Sequence, residues 1–305
     1  MMYRYRRFAL QQAAHDDLRF RWHTSAERDG PVFRDLTWDF AEPDQYPELV
    51  AKQKPGLMAS KDEKSFHKAV VSGDPAEILR VAGQLPKYAT VARAIAGLLT
   101  LEADVDRGIA LIEEAIAAPD DVGKDRFIRK YLPDAGLTVV IAAGVVVRLP
   151  LQRNALVLLI AELHQARGTE DRALQLLQSS EATTHVRLSQ AELLYEAERF
   201  DDVLEVTEGV VNDDDVTALM LAYRGRALGE LGRGDEAMST LARTLEFGNQ
   251  APTVRAIALV GRGMINQARG EFILAQNDFT AALVEVPEDE EAKLHIQQLI
   301  DGAGS

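Results

Sequence analysis

The chain has 305 residues, of which 47% are hydrophobic and only 6% aromatic, and it carries a formal net charge of −14. It contains no cysteine, which excludes disulfides, thiolate metal sites and a cysteine nucleophile. Residues 1–150 are close to neutral at −1, whereas residues 151–305 carry −13, a balance that repels phosphates and argues against nucleic-acid binding by the second half.

Residues 1–58 read as an aromatic and basic N-terminal unit, partly β or irregular. Both tryptophans (Trp22, Trp38) and four of the ten phenylalanines fall in its first 45 residues. Leu18–Trp22 and Val32–Phe40 alternate as strands do, with Ser25–Pro31 supplying a turn. Arg4, Arg6 and Arg7 are followed by Gln11, Gln12, His15, Asp16 and Asp17 rather than by an apolar run, so no secretory signal is read here. The longest apolar run, Gly136–Val147, falls short of the roughly 18 residues that span a membrane. The expected location is cytoplasmic.

Residues 59–118 read as two degenerate helical hairpins. Ser60-Lys-Asp-Glu63 has the spacing of a capping box and opens a helix to about Ser72. Gly73-Asp-Pro75 then turns the chain into a second helix, to about Gln84. Ala89–Glu102 and Val105–Ala118 form the next pair, with Ile109, Ile112 and Ile116 on one stripe. Residues 119–153 interrupt the pattern. Leu137–Ile141 and Val145–Leu149 are rich in β-branched residues between Pro133 and Pro150, which predicts a β-hairpin insertion; a buried helix of Ala and Val is the alternative.

From residue 154 to 287 a block recurs. Small residues stand on a first helix at Ala161, Ala191, Gly225 and Gly263, and at the start of a second at Ala173, Val203, Ala237 and Ala275. Both series step by 30, 34 and 38 residues, so the two helices of each copy shift together. The turns between them carry Gly168, Gly232 and Gly270, followed by acids that suit the next helix N-terminus. Residues 288–305 read as a C-terminal capping helix and tail, over Glu288–Ile300.

These copies resemble the tetratricopeptide repeat superfamily, most closely over Val254–Pro287. They depart from it where a large aromatic is expected early in the first helix: Val157, Arg187, Leu221 and Leu259 stand there. The resemblance implies a mainly α fold, a right-handed helical-hairpin solenoid, here with a small β-containing N-terminal unit and a β-hairpin insertion. It also implies a concave groove lined by first-helix residues: Glu162 and Gln165, then Glu192, Tyr195 and Glu196, then Tyr223, Arg226 and Glu230, with Ile257, Val260 and Met264 in the last copy. The Lys/Asn/Arg set with which some relatives clamp a C-terminal carboxylate is absent. An acidic groove with tyrosines favours a basic peptide.

No phosphate loop, Gly-x-Ser-x-Gly elbow or His-Glu-x-x-His motif is present, and the six histidines are scattered singly. Asn212-Asp-Asp-Asp215 has the acids of a calcium loop without its glycine or distal glutamate, so a helix cap is the expected role. No catalytic residue, metal or cofactor is therefore expected. The leading function is a non-enzymatic protein–protein interaction module, a scaffold or adaptor holding a peptide in the groove. The alternatives are a regulatory protein whose N-terminal unit docks an effector while the array senses a ligand, and an enzyme with a site between that unit and the repeats. Self-association through the 136–149 hairpin is a further expectation.

Overall fold

The computed structural model describes residues 45–142, 145–246, 250–286 and 290–303. The strands expected at 18–22 and 32–40 lie outside them, as do Pro287 and the first residues of the capping segment. Among the described residues the chain divides into two compact units, one of residues 45–139 and 146–163, the other of 140–142, 145 and 164–303.

The first unit opens with a short helix, α1 (Tyr46–Lys52), in part of the segment read as β or irregular. Seven residues do not hold a helix by propensity. This one is held by the buried side chains of Tyr46 and Val50 and by Pro47 at its first turn. Then follow α2 (Lys61–Val71), α3 (Pro75–Gly83), a single 3₁₀ turn (Pro86–Tyr88), α4 (Ala89–Thr100) and α5 (Val105–Ala117). The hydroxyl of Ser60 accepts from Glu63 N at 3.1 Å, which is half of the expected capping box. The Glu63 carboxylate itself accepts from Lys130 Nζ at 2.5 Å and the Tyr131 hydroxyl at 2.6 Å.

The α4–α5 hairpin crosses closely. A Cβ added to Gly97 would lie 2.6 Å from Ile112 Cγ1, and one added to Gly108 would lie 2.7 Å from a Leu101 methyl. Helix α6 (Arg126–Tyr131), missing from the sequence reading, brings Phe127 and Tyr131 into an aromatic cluster. Phe66 stacks on Tyr88 with centroids 4.4 Å apart, and Phe127 meets Phe66 edge-on at 4.8 Å.

The insertion is a two-stranded antiparallel hairpin, β1 (Gly136–Ala142) and β2 (Val145–Pro150), as the β-branched residues predict. Leu137, Val139 and Ile141 point inward at alternate positions. In the first unit Tyr46 donates its hydroxyl to Gly136 O at 2.8 Å; in the second, Ser189 donates to Ile141 O at 2.5 Å.

Helix α7 (Arg153–Ala166) leads into the hairpins of the second unit: α8 (Glu170–Gln178), α9 (Thr184–Glu196) with α10 (Phe200–Val206), α11 (Asp215–Glu230) with α12 (Gly234–Thr244), and α13 (Pro252–Ala268) with α14 (Phe272–Glu285). Successive first helices α9, α11 and α13 pack side by side, and α15 (Glu290–Ala303) packs on α14. The small positions are buried throughout. A Cβ on Gly225 would come within 2.6 Å of Leu241 Cγ, and one on Gly263 within 2.5 Å of Phe279 Cε1. In both hairpins the intruding side chain is four residues beyond the second-helix alanine, as Ile112 is beyond Gly108. The degenerate α4–α5 pair therefore shares the crossing of the later copies.

Each turn places one residue in the left-handed region: Gly168, Glu198, Gly232 and Gly270, with φ of 71°, 57°, 73° and 76°. Arg187 stands where an aromatic is expected, and its guanidinium instead donates to Val206 O at 2.8 Å and Glu208 O at 2.7 Å. It thereby satisfies carbonyls at the end of the short α10. Asn212–Asp215 forms caps. Asp214 accepts from Thr217 N at 2.8 Å in a capping box, Asp215 accepts from Ala251 N at 2.8 Å, and Asn212 donates to Arg243 O at 2.7 Å.

Candidate functional site

The positions expected to line a groove separate by depth. Glu162, Gln165, Glu192 and Tyr223 are buried, Tyr195, Glu196 and Arg226 are half-buried, and Glu230 is exposed. Burial follows from stacking. Helix α11 packs against α9, so residues midway along α9 face a neighbouring helix rather than solvent. Tyr223 on α11 donates its hydroxyl to Glu192 on α9 at 3.0 Å, a polar link inside that contact. Ile257 and Val260 on α13 are likewise buried, whereas Met264, one turn further on, reaches the surface.

The structure brings Tyr195, Arg226 and Glu230 together at the C-terminal ends of α9 and α11. The Arg226 guanidinium lies over the Tyr195 ring, 4.3 Å from its centroid, in cation–π geometry. The Tyr195 hydroxyl is 3.4 Å from Glu230 Oε1 and donates to it. Burial raises the Tyr195 phenol above its usual pKa; Arg226 opposes the shift and Glu230 reinforces it. The phenol therefore stays protonated as a donor at neutral pH.

These three residues form one wall of a cleft of about 460 Å³ that continues onto α12 and α13. Met264, Ile265, Ala268, Asp235 and Arg269 form the remainder, with Gly229, Gly232, Gly234 and Gly261. The glycines let side chains of the lining lie close against the backbone. A Cβ at Gly261 would meet Arg226 Cγ at 2.7 Å, and one at Gly234 would meet Arg269 Nη2 at 3.0 Å. Arg269 Nη2 donates to Asp235 Oδ1 at 2.6 Å, although Asp235 stays almost fully exposed. Gly261 lies within α13; Asp235, Arg269, Gly229, Gly232 and Gly234 sit in turns or next to them, and the repeat pattern assigns those positions to chain reversal rather than to a surface. That is why the sequence reading stopped at Met264.

A second polar cluster stands in the first unit. Glu63 is held below the usual carboxylate range, chiefly by the hydrogen bond from Lys130 and then by that from Tyr131. Lys130 is pushed up, first by its hydrogen bond to Glu63. Both groups are thus held in their charged forms, the reverse of the near-neutral pKa that proton transfer requires. The nearby His67 Nε2 lies 2.9 Å from both Val50 O and Gln53 O, so it ties α1 to α2. Among the described residues no group of three or more His, Asp or Glu gathers as a metal site, and no helix is long and apolar enough to cross a membrane.

No protein-family model and no curated protein matches the chain. Among solved structures it is similar to the N-terminal domain of the EccA1 ATPase from the ESX-1 secretion system of Mycobacterium tuberculosis. The likeness has a TM-score of 0.53 at 13% identity and covers 86% of this chain and 90% of that one. At that identity the resemblance is one of fold: a mainly α array of helical hairpins with a single β-hairpin among the described residues.

Proposed function

We propose that the protein is a non-enzymatic interaction module, a scaffold or adaptor, and that it holds a segment of a partner protein in the cleft between the ends of α9, α11 and α13. The observation that carries this reading is the cleft's combination of apolar Met264 and Ile265 with exposed carboxylates at Glu230 and Asp235. The guanidinium groups of Arg226 and Arg269 are engaged by the Tyr195 ring and by Asp235. With Asp235 taken up by Arg269, the charge that the cleft offers a ligand beside apolar surface is the exposed Glu230 carboxylate. The fitting partner is a segment that presents a Lys or Arg next to an apolar side chain, in keeping with the basic peptide expected from the sequence.

Panning a random peptide library on the full chain tests this. Enriched peptides should pair a basic with an apolar residue. Their binding should weaken at least tenfold in Glu230→Lys and in Met264→Asp, both changes at the surface. Enrichment of peptides that bind both variants as well as the parent would refute the cleft as the binding site.

A further inference from the structure

The loop between α1 and α2 carries the two most exposed large apolar side chains among the described residues, Leu57 at 98% and Met58 at 99%. They are the central pair of a tight turn, closed by Ala59 N donating to Gly56 O at 3.0 Å. The corner of a turn in water ordinarily takes Gly, Pro, Asn, Asp or Ser, each of which serves the turn itself. Leu and Met serve it in no such way. The loop is also fixed at both ends. His67 on α2 holds Val50 O and Gln53 O before it, Lys64 Nζ donates to Leu57 O at 3.3 Å, and the Ser60 hydroxyl caps α2 after it. Leu57 and Met58 thus stand on a convex tip with almost no protein surface against them.

Lysines surround this tip. Lys52 and Lys54 precede it, and Lys61, Lys64 and Lys68 follow it, all of them exposed. The acids within that stretch are Asp62 and Glu63, and cations from further along the chain engage both. Asp62 accepts from Lys87 Nζ at 2.8 Å, and Glu63 accepts from Lys130 Nζ at 2.5 Å. Lys61 is the first residue of α2, where the helix dipole favours an acid over a base. A chain of net charge −14 therefore gathers cations around its most exposed apolar pair.

We propose that this loop docks the protein on an anionic lipid surface. The lysines lie against the headgroups, and Leu57 and Met58 enter the boundary with the acyl chains. Charge complementarity calls for an anionic surface, and shape favours a lipid one. An acidic protein would need a pocket matched to a protruding pair of side chains, whereas a bilayer yields to them. Apolar insertion and lysine attraction are each weak alone, and membrane anchoring of this kind combines two such signals. Screening within about 8 Å at physiological salt lets the local lysines outweigh the net charge of the chain.

Flotation of the full chain with vesicles of phosphatidylserine and phosphatidylcholine in equal parts tests the proposal. The chain should float with them and not with phosphatidylcholine alone. Leu57→Asn combined with Met58→Asn keeps residues at home in a turn and should weaken binding by roughly tenfold or more. Lys54→Glu combined with Lys61→Glu should do the same. Because the chain lacks cysteine, a nitrobenzoxadiazole label on Met58→Cys reports the tip alone; its emission should rise and shift to the blue on the anionic vesicles. A chain that stays unbound at low salt, binding that survives the paired asparagine change, or a label that remains in water would each overturn the proposal. Capture of the chain by soluble polyglutamate but not by the vesicles would overturn it in favour of an acidic protein.

Discussion

Replacing Gly263 by alanine sets two effects of opposite sign against each other. In an open helix the change is favourable by about 1 kcal/mol, because alanine restricts the unfolded chain and favours the helix. Here the new Cβ would lie 2.5 Å from Phe279 Cε1, 2.8 Å from Cδ1 and 3.1 Å from Cζ. Carbon atoms pack at about 3.5–4.0 Å, so the ring or the helix must move by about 1 Å. Phe279 is fully buried beneath α13, so its ring cannot swing into solvent. Overpacking of this kind costs about 1–3 kcal/mol, and the larger displacement puts this site at the upper end. The net expectation is a loss of about 1–2 kcal/mol, read by urea unfolding of the full chain with helicity followed at 222 nm. Phe279→Leu should destabilise when made alone, because it leaves a cavity. Combined with Gly263→Ala it should recover at least about 1 kcal/mol relative to the sum of the single changes. A Gly263→Ala protein as stable as the parent, or a double variant that shows simple additivity, would refute the account of the α13–α14 crossing.

Three further outcomes can be measured in the same way. Glu198→Gly should stabilise by about 0.5–1 kcal/mol, because the cost of holding an L residue in the left-handed region exceeds glycine's loss of backbone entropy; Gly168, Gly232 and Gly270 already hold the equivalent turns. Asp278→Ala should cost about 2–4 kcal/mol, since it leaves Arg262 and Asn266 Nδ2 facing a buried gap where the carboxylate now accepts from both. Glu63 has a depressed folded-state pKa, so its contribution to stability is complete above its ordinary range near 4.5 and is lost as pH falls through the lower folded value. Glu63→Gln should therefore lower the melting temperature at pH 7 and flatten its decline below pH 5, and an unchanged acid limb would contradict the Lys130 and Tyr131 contacts.

The parts of the fold that were legible in the sequence are those in which one residue type answers one steric demand. Gly225, Gly263 and the alanines of the second helices can be read from spacing alone, because a helix crossing admits only small side chains. The β-hairpin was legible because its β-branched runs lie between prolines. Helices α1 and α6 were not, since seven and six residues carry too little periodicity and depend on Tyr46, Phe127 and Tyr131 packing on distant partners. The Gly97–Gly108 crossing was hidden by a turn that is one residue shorter and lacks the usual glycine. At the candidate site, helical phase placed Tyr195, Arg226 and Glu230 on one side. Phase does not report how closely the next hairpin stacks, and that stacking buries Glu192 and Tyr223.

The polar contacts between successive hairpins bear on how the array comes apart. Tyr223 with Glu192 and Tyr195 with Glu230 join the second and third copies, and Arg269 with Asp235 joins the third and fourth. Apolar faces alone can slide by a helical turn at modest cost, whereas a hydrogen bond has one register. In an array whose stability is a sum of units and nearest-neighbour interfaces, such bonds strengthen the interfaces relative to the units. Unfolding then spreads across hairpins instead of fraying from one end. Two of the three bonds also form the walls of the cleft, so a bound segment would act as a rivet through three hairpins, and its occupancy would be readable as slowed hydrogen exchange well outside its own footprint.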